Sequence, residues 1–378
     1  MVAQHAAAAA APRLRWVVMP ANRMNRDEFY TAMAPNDDAH LRKVLWTLYW
    51  RGNAQLRERI EDELRPPEQP KVKPRKGLPD PATVLDEVTT FVKLAKDGAY
   101  MYGDRRVHRT ERSKWRLTFR RLVADALSAL QADNPGPAQQ AVAEMVDLAG
   151  EMKGYDYFHS DDPVEAAKFV VSDAVAVLWE SVLRHDGFAA FARRAPEQLI
   201  RWEAEYGWTR RGYGQVAEKE TALCVPLAQL LTAPDMWRTF AEFYLDALDA
   251  AGRADPKRPR TVYGSFDETR FRRHERAKDL AAWHGMLLDW FAGTPEDELL
   301  DRLAASPALA GPELTFLRAR IAERRGAVGQ AATLVTESLK ELPGHQGYLD
   351  FAVKVGAELP PRARGLLSER IRIVGDAP

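Results

Sequence analysis

The hydrophobic pattern is helical almost from end to end. In HLRKVLWTLYWRGNAQLRERIEDEL, residues 40–64, Leu41, Val44, Leu45, Leu48 and Tyr49 recur at three- and four-residue steps, the spacing of one helix face. Gly52-Asn53 interrupts the run, so the pattern predicts two helices, 38–51 and 53–64, with Asp37 or Asp38 capping the first. The same periodicity predicts helices over 82–97, 108–131, 136–152, 163–185, 196–206, 215–231, 234–251, 267–291, 295–304, 312–325 and 328–341. The start at 163 is the best signalled: Ser160-Asp161-Asp162 offers caps, Pro163 suits the first helical position, and Glu165 complements the helix dipole. Strand signals are confined to TVLDEV (83–88) and RIRIVG (370–375). The pattern therefore predicts an all-α fold, a helical-repeat-like bundle of hairpins in two or three lobes.

Proline punctuates this pattern. Residues 65–82, RPPEQPKVKPRKGLPDPA, carry prolines at 66, 67, 70, 74, 79 and 81. Each removes an amide donor and restricts the residue before it, which predicts an extended arm instead of a helix. A weaker break, RADPKRPR, falls at 253–260. The organisation read from these breaks is an N-terminal helical segment (1–64), the proline-rich linker (65–82), a central helical domain (83–255) and a C-terminal helical-hairpin region (256–378).

With 46% hydrophobic and 29% charged residues, the chain has the composition of a soluble globular protein. Its 54 basic and 54 acidic residues cancel, which argues against a surface coated throughout for nucleic acid. The one cysteine, Cys224, leaves no internal disulfide and no multi-cysteine zinc site, and its apolar setting ALCVPLAQLL predicts a buried side chain. No apolar run approaches the about 20 residues of a membrane helix. The alanine run near the N-terminus has no basic segment before it and Arg13 and Arg15 directly after it, unlike an export signal. A cytoplasmic protein without a membrane partner is expected, and the Ala- and Arg-rich usage matches GC-rich bacterial coding.

Charge is nevertheless segregated along the chain. Residues 102–121, YGDRRVHRTERSKWRLTFRR, hold eight Arg/Lys against Asp104 and Glu111, whereas 122–192 holds twelve Asp/Glu against three Lys/Arg. On one helix from 108 onward, Arg109, Arg112, Arg116 and Arg120 form a stripe beside Trp115 and Phe119. Arginine with interleaved aromatics suits phosphate contact and base stacking. The alternative is structural: Trp115, Leu117, Phe119 and Leu122 seat the helix in a core, and the arginines pair with the acidic helices that follow. A second candidate surface is YGWTRRGYG, 206–214, where Trp208, Arg210, Arg211 and Tyr213 sit among glycines. The candidate binding residues are thus Arg105, Arg106, Arg109, Arg112, Arg116, Arg120, Trp208, Arg210, Arg211 and Tyr213.

Catalytic signatures are sparse. The eight histidines are scattered, and H-E-x-x-H, CxxC, P-loop, G-x-S-x-G and dinucleotide-binding glycine patterns are absent. His185-Asp186 resembles the metal-binding pair of HD-type phosphohydrolases, an all-helical family, with His40, His159 or Asp173 as further ligands under that resemblance. Capping and a helix C-terminus account for the same residues without a metal. No cofactor and no metal are expected.

In ELTFLRARIAERRGAVGQAATLVTESLKELP, residues 313–343, Ala319, Gly326, Ala331 and Pro343 stand at the small, turn, small and terminating positions of a helical hairpin, with Leu339 apolar near its end. These 31 residues resemble a tetratricopeptide repeat. They depart from it at Thr315, Arg318, Ala322 and Ser338, and no second copy is visible in the sequence at a 34-residue period. The resemblance implies protein binding. The reading as a whole is a non-catalytic protein-protein interaction or scaffold protein whose partner is another protein. The alternatives are an anion- or nucleic-acid-binding protein using 105–121, and a helical metal-dependent phosphohydrolase.

Overall fold

A computed structural model describes residues 26–52, 57, 60, 77–101, 104–152, 154–206, 213–255 and 267–367. The chain divides into two compact units, 1–75 and 76–378. Among the described residues every regular element is a helix, and none is long and apolar enough to cross a membrane. Most of the predicted helix 53–64, most of the proline-rich arm, the segment RIRIVG and residues 256–260 of the weaker break lie outside the described residues.

In the first unit, α1 (Arg26–Met33) precedes α2 (Asp38–Arg51). Asp37 caps α2 by accepting from the His40 amide at 2.8 Å. Trp46 stacks on Tyr49 and Trp50 along the helix.

The second unit is built on α3 (Pro81–Lys96), α4 (Arg109–Ser113), α5 (Trp115–Ala129), α6 (Gly136–Glu151), α7 (Pro163–Ala167), α8 (Val171–His185), α9 (Phe188–Tyr206), α10 (Cys224–Leu230) and α11 (Pro234–Ala254). TVLDEV belongs to α3, whose N-cap is Asp80. Helix α3 packs on α6, α6 on α8, and α9 on both α8 and α11. Then follow α12 (Glu268–Asp279), α13 (Ala281–Phe291), α14 (Glu298–Ala305), α15 (Pro312–Arg324), α16 (Val328–Glu341), α17 (Gln346–Val355) and a helical stretch at 361–367. One hydrophobic cluster runs from Val84 to Ile321, and a smaller one gathers Ala319, Val335, Leu339, Tyr348, Leu349, Ala352 and Ala363. Cys224 is buried.

Three predicted helices are broken. Residues 108–131 divide at Lys114, and 267–291 divides at Leu280. The third, 163–185, stops at Lys168, whose φ of 53° is left-handed, a conformation that costs a side-chain-bearing residue about 1–2 kcal/mol. The Lys168 amide donates to the Glu165 carbonyl and the Phe169 amide to that of Val164, a Schellman cap, and the distant Glu220 carboxylate accepts from the Val171 and Ser172 amides, satisfying the first turn of α8. Helix α9, by contrast, runs back from the predicted start at Pro196 to Phe188. Phe191, Ala192, Ala195 and Leu199 are all buried, and this packing outweighs the missing proline donor. The stretch 215–231 is helical only over α10.

Helices α15 and α16 form the hairpin expected around Gly326. Gly326 has φ 80°, and the Ala327 amide donates to the Ala322 carbonyl while that of Gly326 donates to Glu323, a Schellman cap that only glycine enters without strain. Ala319 and Ala331 are both fully buried, and the Ser338 hydroxyl donates to the Pro312 carbonyl at 3.1 Å, tying the end of α16 to the start of α15. Ala331→Trp is expected to overpack this contact and cost about 1–3 kcal/mol. A thermal melt of the variant checks it; an unchanged midpoint means that Ala331 faces open space.

Candidate functional site

The basic segment is shaped by its apolar residues. Trp115, Phe119, Leu122, Ala126 and Ala129 recur at steps of four and three and are the buried face of α5. Leu117, expected in the core, is 59% exposed. The break at Lys114 puts Arg109 and Arg112 on α4 and Arg116 and Arg120 on α5, so the four do not form one helical stripe.

Their partners differ. Arg120 donates from Nε to the Ala167 carbonyl at 2.8 Å and from Nη2 to that of Ala166 at 2.7 Å, closing the C-terminal end of α7. Arg112 donates from Nη1 to the Met101 carbonyl at 2.9 Å. Arg106 binds Asp104 and Asp97, and its hydrogen bonds hold the Asp104 carboxyl down at about 2. Arg121 pairs with Glu87 and Asp125. The side chains of Arg105, Arg109 and Arg116 are exposed and, among the described residues, make no hydrogen bond or ion pair. Among the described residues of this segment, Arg121 alone pairs with a carboxylate of 122–192. Four of those acids are engaged elsewhere: Asp147 with Trp202 and Arg201, Glu165 with the Gln215 and Val216 amides, Asp186 with Arg194, Glu151 with Lys96.

Arg109, Arg112 and Arg116 meet around a cleft of about 640 Å3 together with Tyr100, Trp115 and His159. Its floor is an aromatic stack. Trp115 lies on Phe158 at 4.2 Å between centroids and 18° between planes, and Phe158 stacks in turn on Phe91, which meets Phe119 edge-on. Burial, then the charge of Glu111, pushes the Tyr100 hydroxyl up to about 12, so it remains protonated at neutral pH.

Arg105, Arg106 and Arg120 lie outside this cleft. In the second candidate surface Tyr213 is 98% exposed, and Trp208, Arg210 and Arg211 lie outside the described residues. His185 ends α8 and Asp186 caps it. Among the described residues no group of three His, Cys, Asp or Glu is placed to hold a metal.

A second concavity, about 630 Å3, was not legible in the sequence. It lies among α12, α13, α15 and the turn before α17, with Ala281, Phe316 and Leu317 as apolar lining, Lys278 and Arg320 as cationic lining, and His345 beside Glu313. His284 also lines it, almost fully buried, with Nε2 2.7 Å from the Tyr244 hydroxyl oxygen. Burial drives this imidazole down to about 3, so it is neutral at neutral pH. The buried Tyr244 hydroxyl has no other partner among the described residues and so donates to Nε2, which leaves the imidazole proton on Nδ1.

No protein-family model matches this sequence, and neither a curated protein nor a solved structure is detectably similar to it.

Proposed function

We propose that this chain is a non-catalytic interaction protein whose C-terminal hairpins act as a short tetratricopeptide-like array, with a segment of another protein seated in the groove beside α13 and α15. The observation that carries the reading is the step between helices. Helix α15 begins at Pro312 and α17 at Gln346, 34 residues on, and α16 begins at Val328 with the next helical stretch at 361, 33 residues on. Helices α13 and α14 begin 31 and 30 residues before α15 and α16. Three consecutive pairs at this spacing meet the number that such arrays need to bury a continuous core.

Contacts between pairs support the same reading. Arg324 and, more distantly, Arg320 on α15 pair with Asp289 on α13, and Phe316 on α15 packs against Tyr348 and Phe351 on α17. These contacts link the first helix of each pair to the next, and the groove lies beside α13 and α15. Arg318, a departure from the repeat pattern, donates to the Ala304 carbonyl at the end of α14 and so links two pairs.

The groove's apolar floor and cationic rim suit a peptide with an acidic side chain next to an apolar anchor. Selection of displayed random peptides on the full chain tests this. Acidic-apolar peptides should emerge and lose at least about tenfold in affinity on Lys278→Glu with Arg320→Glu, a change of about 1.4 kcal/mol or more. No selected peptide, or peptides indifferent to both substitutions, would sink the proposal.

A further inference from the structure

The cleft beside α4 is separate from the hairpin groove and has different chemistry. We propose that it binds a phosphate monoester carried on a small aromatic body. Three guanidinium groups from two helices converge there, and two of them, Arg109 and Arg116, have no hydrogen-bond or ion-pair partner among the described residues. Arg112 spends one N–H on the Met101 carbonyl, which fixes its plane and leaves its other donors available. Among the described residues no carboxylate lines the cleft, although the charge of Glu111 reaches Tyr100 and that of Asp104 reaches Arg112. Three guanidinium groups brought together repel one another, and a bound dianion reverses the sign of that interaction. Guanidinium groups match phosphate oxygens through paired, parallel hydrogen bonds, and a phosphate monoester brings a charge of about −1.5 to −2 at neutral pH.

Shape selects the size of the ligand. A cleft of about 640 Å3 is in the range that encloses one small molecule. Tyr100 and Trp115, both almost buried, present only ring edges to the cleft beside the arginines, room for one ring and not for a stack of bases. Polymer binding needs aromatic faces open to successive bases. Here Trp115 turns a face onto Phe158, and Phe119 is fully buried. The aromatics interleaved with the arginines therefore build the floor of a pocket and offer no track for a strand. This removes the feature on which the nucleic-acid reading of 105–121 rested, while the arginines keep their anion-binding chemistry.

The test is calorimetric titration of the full chain with phenyl phosphate, inorganic phosphate, phenol and a single-stranded oligonucleotide lacking a terminal phosphate. One phenyl phosphate per chain should bind, inorganic phosphate more weakly, phenol not measurably. Arg109→Ala with Arg116→Ala should weaken phenyl phosphate about tenfold or more, the loss expected for hydrogen bonds to a charged group. Both side chains are exposed and without partners among the described residues, so the variant should keep the wild-type melting temperature. Arg105→Ala, outside the cleft, should bind as wild type does. Failure of phenyl phosphate to bind, affinity unchanged in the double variant, or an equal loss with Arg105→Ala overturns the proposal. An oligonucleotide that binds more tightly than phenyl phosphate and displaces it also overturns it, in favour of a nucleic-acid site.

Discussion

Replacing Asp255 by alanine will destabilise the second unit by about 3 kcal/mol or more, the cost of removing one partner from a buried ionic cluster. Asp255 is buried at the end of α11. Its Oδ1 accepts from Arg276 Nη2 at 2.9 Å and its Oδ2 from Arg273 Nε at 3.0 Å. Arg276 also donates to the Ala308 carbonyl at 2.8 Å, so one cluster joins α11, α12 and the turn before α15. Without the carboxylate, two guanidinium groups face each other, and Arg276 is itself mostly buried. Arg273 is about a third exposed, which screens its share of the interaction. Burial alone would raise the Asp255 carboxyl, but the hydrogen bonds and charges of Arg276 and Arg273 outweigh it and hold the group below its ordinary value. The sign of the pH effect follows. A depressed native value gives stability that is complete above the ordinary carboxylate range and is lost as pH falls through the native value. Denaturant titration of Asp255→Ala, and of Asp255→Asn from neutral to acid pH, checks both statements. Asp255→Asn should show a flatter acid limb than wild type. An alanine variant within about 1 kcal/mol of wild type would mean that water replaces the carboxylate without cost.

The Asp255 cluster illustrates what a linear reading misses. Local rules found the helix starts: the Asp37 cap, the proline at the start of α7, the Gly326 turn. They found the all-α class because hydrophobic periodicity is a property of neighbours in sequence. The breaks at Lys114, Lys168 and Leu280 interrupt runs whose apolar spacing continues through them, so periodicity does not place them. After the turn at Lys168 the new helix start at Val171 is capped by Glu220, 49 residues further along the chain, and no pattern near 168 announces it. The third hairpin escaped for a related reason. The position 34 residues after Ala319 is Val353, 63% exposed, while the buried small residue is Ala352, one step earlier. The position matching Gly326 is Pro360. In the array proposed above, the helix starts keep the period while the residue pattern has slipped. Arginines at 109, 112 and 116 were legible as candidates, but a stripe on one helix is not a cleft. The bend at Lys114 and the ring stack beneath it bring them together, and neither is readable from spacing.

Trp115 connects that stack to the cleft, and Trp115→Ala is expected to cost about 3–5 kcal/mol, the range for truncating a buried large aromatic. The indole is 4% exposed and covers Phe158, which is itself buried against Phe91 and Tyr100. Removing it opens a void under α4, between residues that a helix break already leaves without continuous backbone support. Trp115→Phe retains a ring on Phe158 and should lose much less, because a smaller aromatic repacks with part of the same contact. The two variants separate stability from binding. In Trp115→Phe the fold persists while the cleft wall is shorter, so affinity for phenyl phosphate should fall and affinity for inorganic phosphate should stay near wild type. Denaturant midpoints of the full chain give the first comparison and calorimetry gives the second. If Trp115→Ala unfolds at the wild-type midpoint, the ring stack is not what positions Arg109, Arg112 and Arg116. If Trp115→Phe weakens both anions equally, the ring supports the arginines and does not touch the ligand.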